Sequence, residues 1–297
     1  MIVYIVNPAA GSGRPRTAIP IIERRMRELG AEYTFIYSER PDDAERIATL
    51  IDAGKTSAII CVGGDGTVQE FLGIALSMDL PIGVIPCGSA NDFLYSLPET
   101  SRKRRSFEEN AAFYTDMAVK CAYRRVDAVS INDARYFLNI GGTGIDIQVL
   151  RDALPMKKFI AGGAYFISLI KNAVTYREEA MNVTIDGEPG TVPLLLLAVC
   201  NGSYYGGHLR VAPPALIDDG LLTLCIVKKM HRLKRMAMFP LVKPGLHGSL
   251  KETSFVNCAS VTLEFEGKRI INADGNLLEY ESPLTFRVLK GAVKFIG

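Results

Sequence analysis

The sequence lacks an excess of charge of either sign: 34 Lys and Arg stand against 32 Asp and Glu, a net charge of +2. A chain that coats nucleic acid usually carries a large basic surplus, so no nucleic acid partner is expected. Paired cysteines are also missing. Cys61, Cys87, Cys121, Cys200, Cys225 and Cys258 form no C-x-x-C pair, and several sit inside apolar runs. That argues against a disulfide framework or a zinc site and predicts small core residues in a reducing cytosol. No apolar stretch approaches the roughly 20 residues a spanning helix needs. The opening MIVYIVNPAAGSG has no basic n-region and no long apolar h-region, so it is not expected to be a signal peptide. Internal repeats and low-complexity segments are absent too. Together these gaps predict a soluble chain that meets a membrane, if it does, from the surface.

What is present is length and apolar content: 297 residues at 48% apolar suit two domains, each with its own core. The first third alternates strand and helix. Ile2 to Val6, Tyr33 to Tyr37, Ala58 to Val62 and Ile82 to Ile85 read as short buried strands. Between them lie helical patterns on Ile22, Met26 and Leu29, on Ile47, Leu50 and Ile51 after Pro41-Asp42-Asp43, and on Val68, Phe71, Leu72 and Ala75. This order predicts a parallel sheet covered by helices, with ligands beyond the carboxyl ends of its strands.

Pro98 to Glu109 is polar and reads as a loop or connector. Beyond it come short β-rich segments: Val126 to Ile131, Tyr136 to Ile140, Met181 to Ile185, Val192 to Cys200, Leu221 to Val227, Val261 to Phe265, Leu284 to Leu289 and Val293 to Ile296. Asn132-Asp133 and Asp186-Gly187 look like hairpin turns. Helical stretches fall around Phe159 to Tyr176 and His231 to Phe239, the second stopped by Pro240. An α/β domain over residues 1–121 and an antiparallel β-sandwich over 122–297 are therefore expected.

Three strand ends carry glycine and polar side chains. Gly63-Gly64-Asp65-Gly66-Thr67 leaves a buried strand and enters a helix, where bare backbone and free N–H groups suit a phosphate. Thr67 can donate a hydroxyl and Asp65 could orient water around a metal. Asn7-Pro8-Ala9-Ala10-Gly11-Ser12-Gly13-Arg14 and Gly88-Ser89-Ala90-Asn91-Asp92-Phe93 occupy equivalent places. A structural reading is available for each, as a tight turn. Three such turns at one sheet edge point to a nucleotide site.

These motifs resemble the catalytic domains of diacylglycerol kinases, sphingosine kinases and their bacterial lipid-kinase relatives. The resemblance continues through Tyr136-Phe137-Leu138-Asn139, Gly141 to Asp146, Gly206-Gly207, Ala212 to Leu221 and Asp274-Gly275, so it covers nearly the whole chain in order. GGDGT alone is shared with NAD kinases and phosphofructokinases. The resemblance implies a three-layer nucleotide domain like theirs, a β-rich lipid domain, and ATP and Mg2+ as co-substrate and cofactor. It implies nucleotide contacts at Asn7, Ser12, Gly13, Ser38, Gly63, Gly64, Asp65, Gly66, Thr67, Val68, Gln69, Ser89, Asn91 and Asp92. It places Mg2+ on Asp219 with the carbonyls of Leu216 and Leu221, and makes Asp274 the general base. A membrane lipid alcohol is the implied acceptor, met by peripheral contact at the cytoplasmic face, and a homodimer is left open.

One position departs from the family. Where Glu usually follows Asp-Gly, this chain has Asn276, which keeps hydrogen-bonding capacity without the charge. Glu279 lies three residues on, on the opposite face of a strand. Two other readings are NAD kinase and a catalytically weak lipid- or nucleotide-binding regulator. Basic clusters at Arg102-Lys103-Arg104-Arg105 and at Lys228-Lys229, His231, Arg232, Lys234 and Arg235 suit either anionic lipid or a solvated face.

Overall fold

A computed structural model describes residues 1–40, 43–97, 105–156 and 164–297. Strands β1 (Ile2–Val6), β2 (Tyr33–Tyr37), β3 (Ala58–Gly63) and β4 (Ile82–Pro86) form the parallel sheet, in the order β2-β1-β3-β4. Every residue of β1 and β3 is buried, as their unbroken apolar runs require. Helix α1 (Pro15–Glu28) carries proline in its first turn, buries Ala18, Ile22 and Met26, and is followed by Gly30 at positive φ. It packs with α4 (Phe107–Val119), held by Arg25 to Asp116. Helices α2 (Ala44–Leu50) and α3 (Asp65–Ser77) pack with each other.

Helix α4 corrects part of the expected connector. Its start is a capping box: Ser106 Oγ accepts the Glu109 N–H, and the Glu109 carboxylate accepts the Ser106 N–H. The Ser-x-x-Glu spacing was in the sequence, hidden among charged neighbours. The remainder of that connector, including Arg102-Lys103-Arg104, lies outside the described residues, as do Pro41-Asp42 and residues 157–163.

The β-rich half comprises β5 (Tyr123–Ile131), β6 (Arg135–Phe137), β7 (Ile140–Gly144), β8 (Glu179–Ile185), β9 (Glu188–Cys200), β10 (Leu222–Lys228), β11 (Thr253–Cys258), β12 (Ser260–Glu264), β13 (Lys268–Ala273), β14 (Asn276–Glu281) and β15 (Leu284–Ile296). Its pairings are antiparallel. Asn132-Asp133 and Asp186-Gly187 turn the hairpins with positive φ. Alternation sorts the side chains: Leu197 and Val199 of β9 with Leu224 and Ile226 of β10 face one apolar cluster. Their neighbours Ala198, Cys200, Cys225 and Val227 face another. The second cluster includes Ile145 and Val149 of α5 (Ile145–Met156), Leu169 of α6 (Ala164–Thr175) and Met238 of α7 (Arg232–Val242).

Helix α5 and strands β11, β13 and β14 had no clear sequence pattern, because polar and apolar residues mix without a clean period. Pro240 sits inside the last turn of α7 instead of ending it, where it forgoes one hydrogen bond. The two segments expected after Leu284 are one strand. β15 changes register between Leu289 and Val293, pairs along its length with β5, and ends parallel to β4 at Phe295 and Ile296. It thus joins the sandwich to the parallel sheet.

Candidate functional site

The strand order sets the three glycine-bearing turns side by side, since β1, β3 and β4 are adjacent and parallel. Their backbones touch. Cys87 and Gly88 N–H both donate to the Gly63 carbonyl, at 2.7 and 3.0 Å. A Cβ on Gly88 would lie 2.6 Å from Gly64 Cα, and one on Gly11, at φ 51°, would lie 1.8 Å from the Cys87 carbonyl oxygen. Only glycine permits this approach. Asn7 Nδ2 donates to Thr67 Oγ1 at 3.2 Å, and the Ser38 N–H donates to the Val6 carbonyl at 2.9 Å. The structure therefore brings Asn7, Ser38 and Gly63 to Gln69 to one edge. Ser12 and Gly13, both at positive φ, lie in the turn between β1 and α1, and Ser89 is exposed in the turn after β4. Gly64 caps α3 without any side-chain acceptor, leaving the helix dipole facing the turns.

Asn91 and Asp92 act on their own loop. Asn91, in the left-handed region, accepts the Gly88 N–H and donates to the Gly88 carbonyl, both at 3.1 Å. Asp92 is buried, and its carboxylate accepts the N–H groups of Gly207 and His208 at 3.0 and 2.7 Å. It ties the nucleotide-side loop to the β-rich half. Asp65 in turn accepts the N–H groups of Asp92 and Phe93, at 2.9 and 3.2 Å. Burial pushes its pKa up to about 6, against those hydrogen bonds and with the nearby Asp92 charge.

Asp274 and Gly275 form the turn between β13 and β14, both at positive φ. The Asp274 carboxylate is buried and accepts the N–H groups of Leu138, Asn139 and Ile140 at 2.9 to 3.0 Å. Burial still raises its pKa to about 7, the hydrogen bonds opposing and the Asp65 charge adding. Asp65 and Asp274 line one cavity of about 10 Å³ with Leu138 and Phe295, room for about one water. One turn on, Asn276 Nδ2 donates to Gln69 Oε1 at 2.6 Å, and a Cβ on Gly66 would lie 3.2 Å from its Oδ1. Gln69 also donates to the Tyr136 carbonyl at 3.1 Å. The Asn276 amide therefore seats β14, and the Gln69 amide seats β6, on the first turns of α3. A cleft of about 380 Å³ opens there, lined by Glu45, Gln69, Glu70, Tyr136, Asn276 and Leu278, within the size of small-molecule sites.

Among the described residues, the segment Leu216 to Leu221 shares no hydrogen bond with the glycine turns. Gly220 N–H donates to buried Asp127 at 2.6 Å, and the turn packs against Lys290. Asp219 Oδ1 accepts the Leu221 N–H at 2.9 Å, a bend geometry that needs no metal. Among the described residues no three His, Cys, Asp or Glu side chains gather as a metal site. One carboxylate with two carbonyls is still an oxygen-only donor set, which fits Mg2+ that keeps its waters. Sequence reasoning missed Asp127, which also accepts the Gly291 N–H at 2.6 Å, and the Asn276–Gln69 contact. Neither leaves a local signature, because each partner is remote in sequence.

The chain matches two family models: "Diacylglycerol kinase catalytic domain" over residues 1–131 and "YegS C-terminal NAD kinase beta sandwich-like domain" over residues 140–297. It is 30% identical to "Probable lipid kinase YegS-like" of Chromohalobacter salexigens, over 87% of this chain and 82% of the relative. It is 27% identical to a diacylglycerol kinase of Mycobacterium tuberculosis, over 93% of this chain and 88% of that one. The crystal structure described as "a putative diacylglycerol kinase from Bacillus anthracis str. Sterne" superposes with a TM-score of 0.77 at 27% identity, covering 99% of this chain and 96% of that one. With both halves matched by family models and a relative 30% identical over 87% of its length, the chain belongs to the diacylglycerol kinase-like family of lipid kinases.

Proposed function

We propose that the chain transfers the γ-phosphate of ATP, with Mg2+, to the hydroxyl of diacylglycerol or a closely related lipid alcohol. The observation that carries this is the glycine-only contact between the turns after β3 and β4, beside an α3 start with no side-chain cap. Such a surface accepts phosphate oxygens against backbone N–H groups without steric cost. Asn7, Ser12, Gly13, Ser38, Ser89 and Gly63 to Gln69 are the proposed nucleotide contacts. Asn91 and Asp92 hold their loop in position for it. The proposed units are residues 1–121 for ATP and 122–297 for the lipid.

Phosphoryl transfer depends mainly on positioning and on offsetting phosphate charge. Mg2+, when bound, would offset part of that charge, and Asp219 with the carbonyls of Leu216 and Leu221 is the proposed holder of a Mg2+ ion. Asp274 is the proposed acceptor of the lipid hydroxyl proton. A pKa raised to about 7 suits a base at neutral pH. Three N–H donors, that of Asn139 shared between both oxygens at 3.0 and 3.3 Å, hold the carboxylate in place beside the small cavity.

Labelled ATP and Mg2+ with a panel of lipids in mixed micelles tests this. Label should pass to diacylglycerol or another lipid alcohol. Transfer to NAD instead, or ATP binding with no lipid labelled, overturns the proposal. A regulator reading has one observation behind it, the neutral Asn276 at the cleft. It gains if the natural chain is inert on every lipid and Asn276→Glu switches it on.

A further inference from the structure

Lone apolar residues on a surface are ordinary, but contiguous ones beside unpaired charge are not. Helix α6 exposes Ile167, Ile170 and Val174 at 44, 40 and 40%. Their spacing puts them on one stripe. The opposite face is anchored: Ser168 Oγ donates to the Val149 carbonyl at 2.8 Å and Asn172 Nδ2 to Asp152 at 2.9 Å. Helix α7 packs against α6 and exposes Leu233 and Met236 at 72 and 41%, also one stripe, while Arg235 and Met238 are buried behind them. Leu233 is the most exposed large apolar side chain among the described residues. Arg235 fixes the two helices together. It donates to the Tyr176 carbonyl, just past α6, at 2.8 Å and pairs with Glu178.

The basic residues around this face divide into two kinds. Lys234 and Arg235 are bound internally, to Glu252 and Glu178. Lys228, Lys229 and Arg232 before and at the start of α7, and Lys243 at its end, are exposed and join no ion pair among the described residues. We propose that the exposed stripes of α6 and α7, with these four cations, form the face that docks on an anionic lipid bilayer. The apolar stripes would enter the headgroup layer while the cations meet lipid phosphates, the pattern of an interfacial helix. A second copy of the chain is the poorer occupant, because two-fold self-pairing would oppose like charges across the interface. The inference rests on the proposed function for its purpose, bringing a lipid kinase to its substrate, but its physical content is membrane binding alone.

Sedimentation with vesicles of phosphatidylcholine containing one part in three phosphatidylglycerol, against pure phosphatidylcholine, tests it without turnover. Wild type should bind the anionic vesicles and lose binding as salt rises. Neutralisation of Lys228, Lys229 and Arg232 to Gln should weaken binding by about fivefold for each lost cation. The double variant Leu233→Ser/Met236→Ser should weaken it about tenfold or more, since both stems leave the headgroup layer. Both variants should keep wild-type turnover on a short-chain, freely dissolved diacylglycerol and lose it on vesicle-borne diacylglycerol. Wild-type vesicle binding in both variants overturns the inference. So does a wild-type dimer that the double variant makes monomeric, with vesicle binding unaltered. Vesicle binding that follows these residues in a chain inert on every lipid would support the face while refuting the proposed function.

Discussion

At the scale of single residues, the site depends on backbone approach and on buried carboxylates. Gly88→Ala would drive a Cβ to 2.6 Å from Gly64 Cα, where the obstacle is backbone and cannot rotate away. The turns must separate, at a stability cost of about 1–3 kcal/mol. We expect ATP turnover to fall at least tenfold with the fold retained, measured as kcat/KM for ATP beside a thermal melt. An unchanged kcat/KM would remove the cradle from the argument. The carboxylates also set a pH dependence. Burial raises Asp65, Asp274 and Asp146, at the start of α5, to about 6, 7 and 6, above the ordinary value of 3.8. The folded chain thus holds these protons more tightly than the unfolded chain. Their stabilisation is complete below about pH 4 and is lost as pH rises through 6 and 7. Asp43 has the opposite sign: Arg46 holds its pKa low, so its contribution is present at neutral pH and lost only in acid. Urea midpoints should decline between about pH 4 and pH 7, and Asp274→Asn should flatten the decline. Identical slopes for both proteins would show that Asp274 does not titrate in this range.

At the scale of elements, the α6–α7 pair depends on a charge taken out of water. Arg235 and Glu178 have side chains only 5 and 7% exposed. The guanidinium also donates to the carbonyls of Met230 and Tyr176. Removing one partner of such a pair leaves an uncompensated charge. Arg235→Met should cost about 3–5 kcal/mol in urea unfolding, whereas Lys228→Met, an exposed neighbour, should change stability by less than about 0.5 kcal/mol. Equal effects would mean the pair is not buried in solution. The contrast explains why a run of basic residues could not be sorted by sequence. Lys234 and Arg235 differ from Lys228 and Lys229 only in which acidic residue the fold brings to them. Helix α4 is the reverse case: Ser106 and Glu109 are three apart, and their reciprocal cap could be found by spacing alone.

At the scale of the whole molecule, β15 is the shared element. Phe295 is 1% exposed, lies against Phe93 of the nucleotide side at a centroid distance of 4.9 Å, and pairs through its backbone with Ile82. Its strand also runs beside β5 and β12 of the β-rich half. Phe295→Ala should therefore cost about 3–5 kcal/mol and lower both halves together, giving one unfolding transition at a lower midpoint. Two separated transitions, followed by probes in each half, would show that β15 does not couple them.

The sequence by itself determined the strand–helix alternation of the first third, the hairpins at Asn132-Asp133 and Asp186-Gly187, and the glycine turns, because each depends on neighbours within a few positions. It also carried the ordered motifs by which the family is recognised. The tertiary structure alone decided what those residues touch. Asp92 reaches Gly207 and His208, Asp274 is wrapped by the N–H groups of Leu138 to Ile140, and Asn276 meets Gln69 across the cleft. It likewise set Leu216 to Leu221 against Asp127 and Lys290 and folded the last two expected strands into one. Periodicity and turn chemistry act over a few residues, whereas burial, pKa and cross-chain hydrogen bonds depend on partners that only the packed chain brings together.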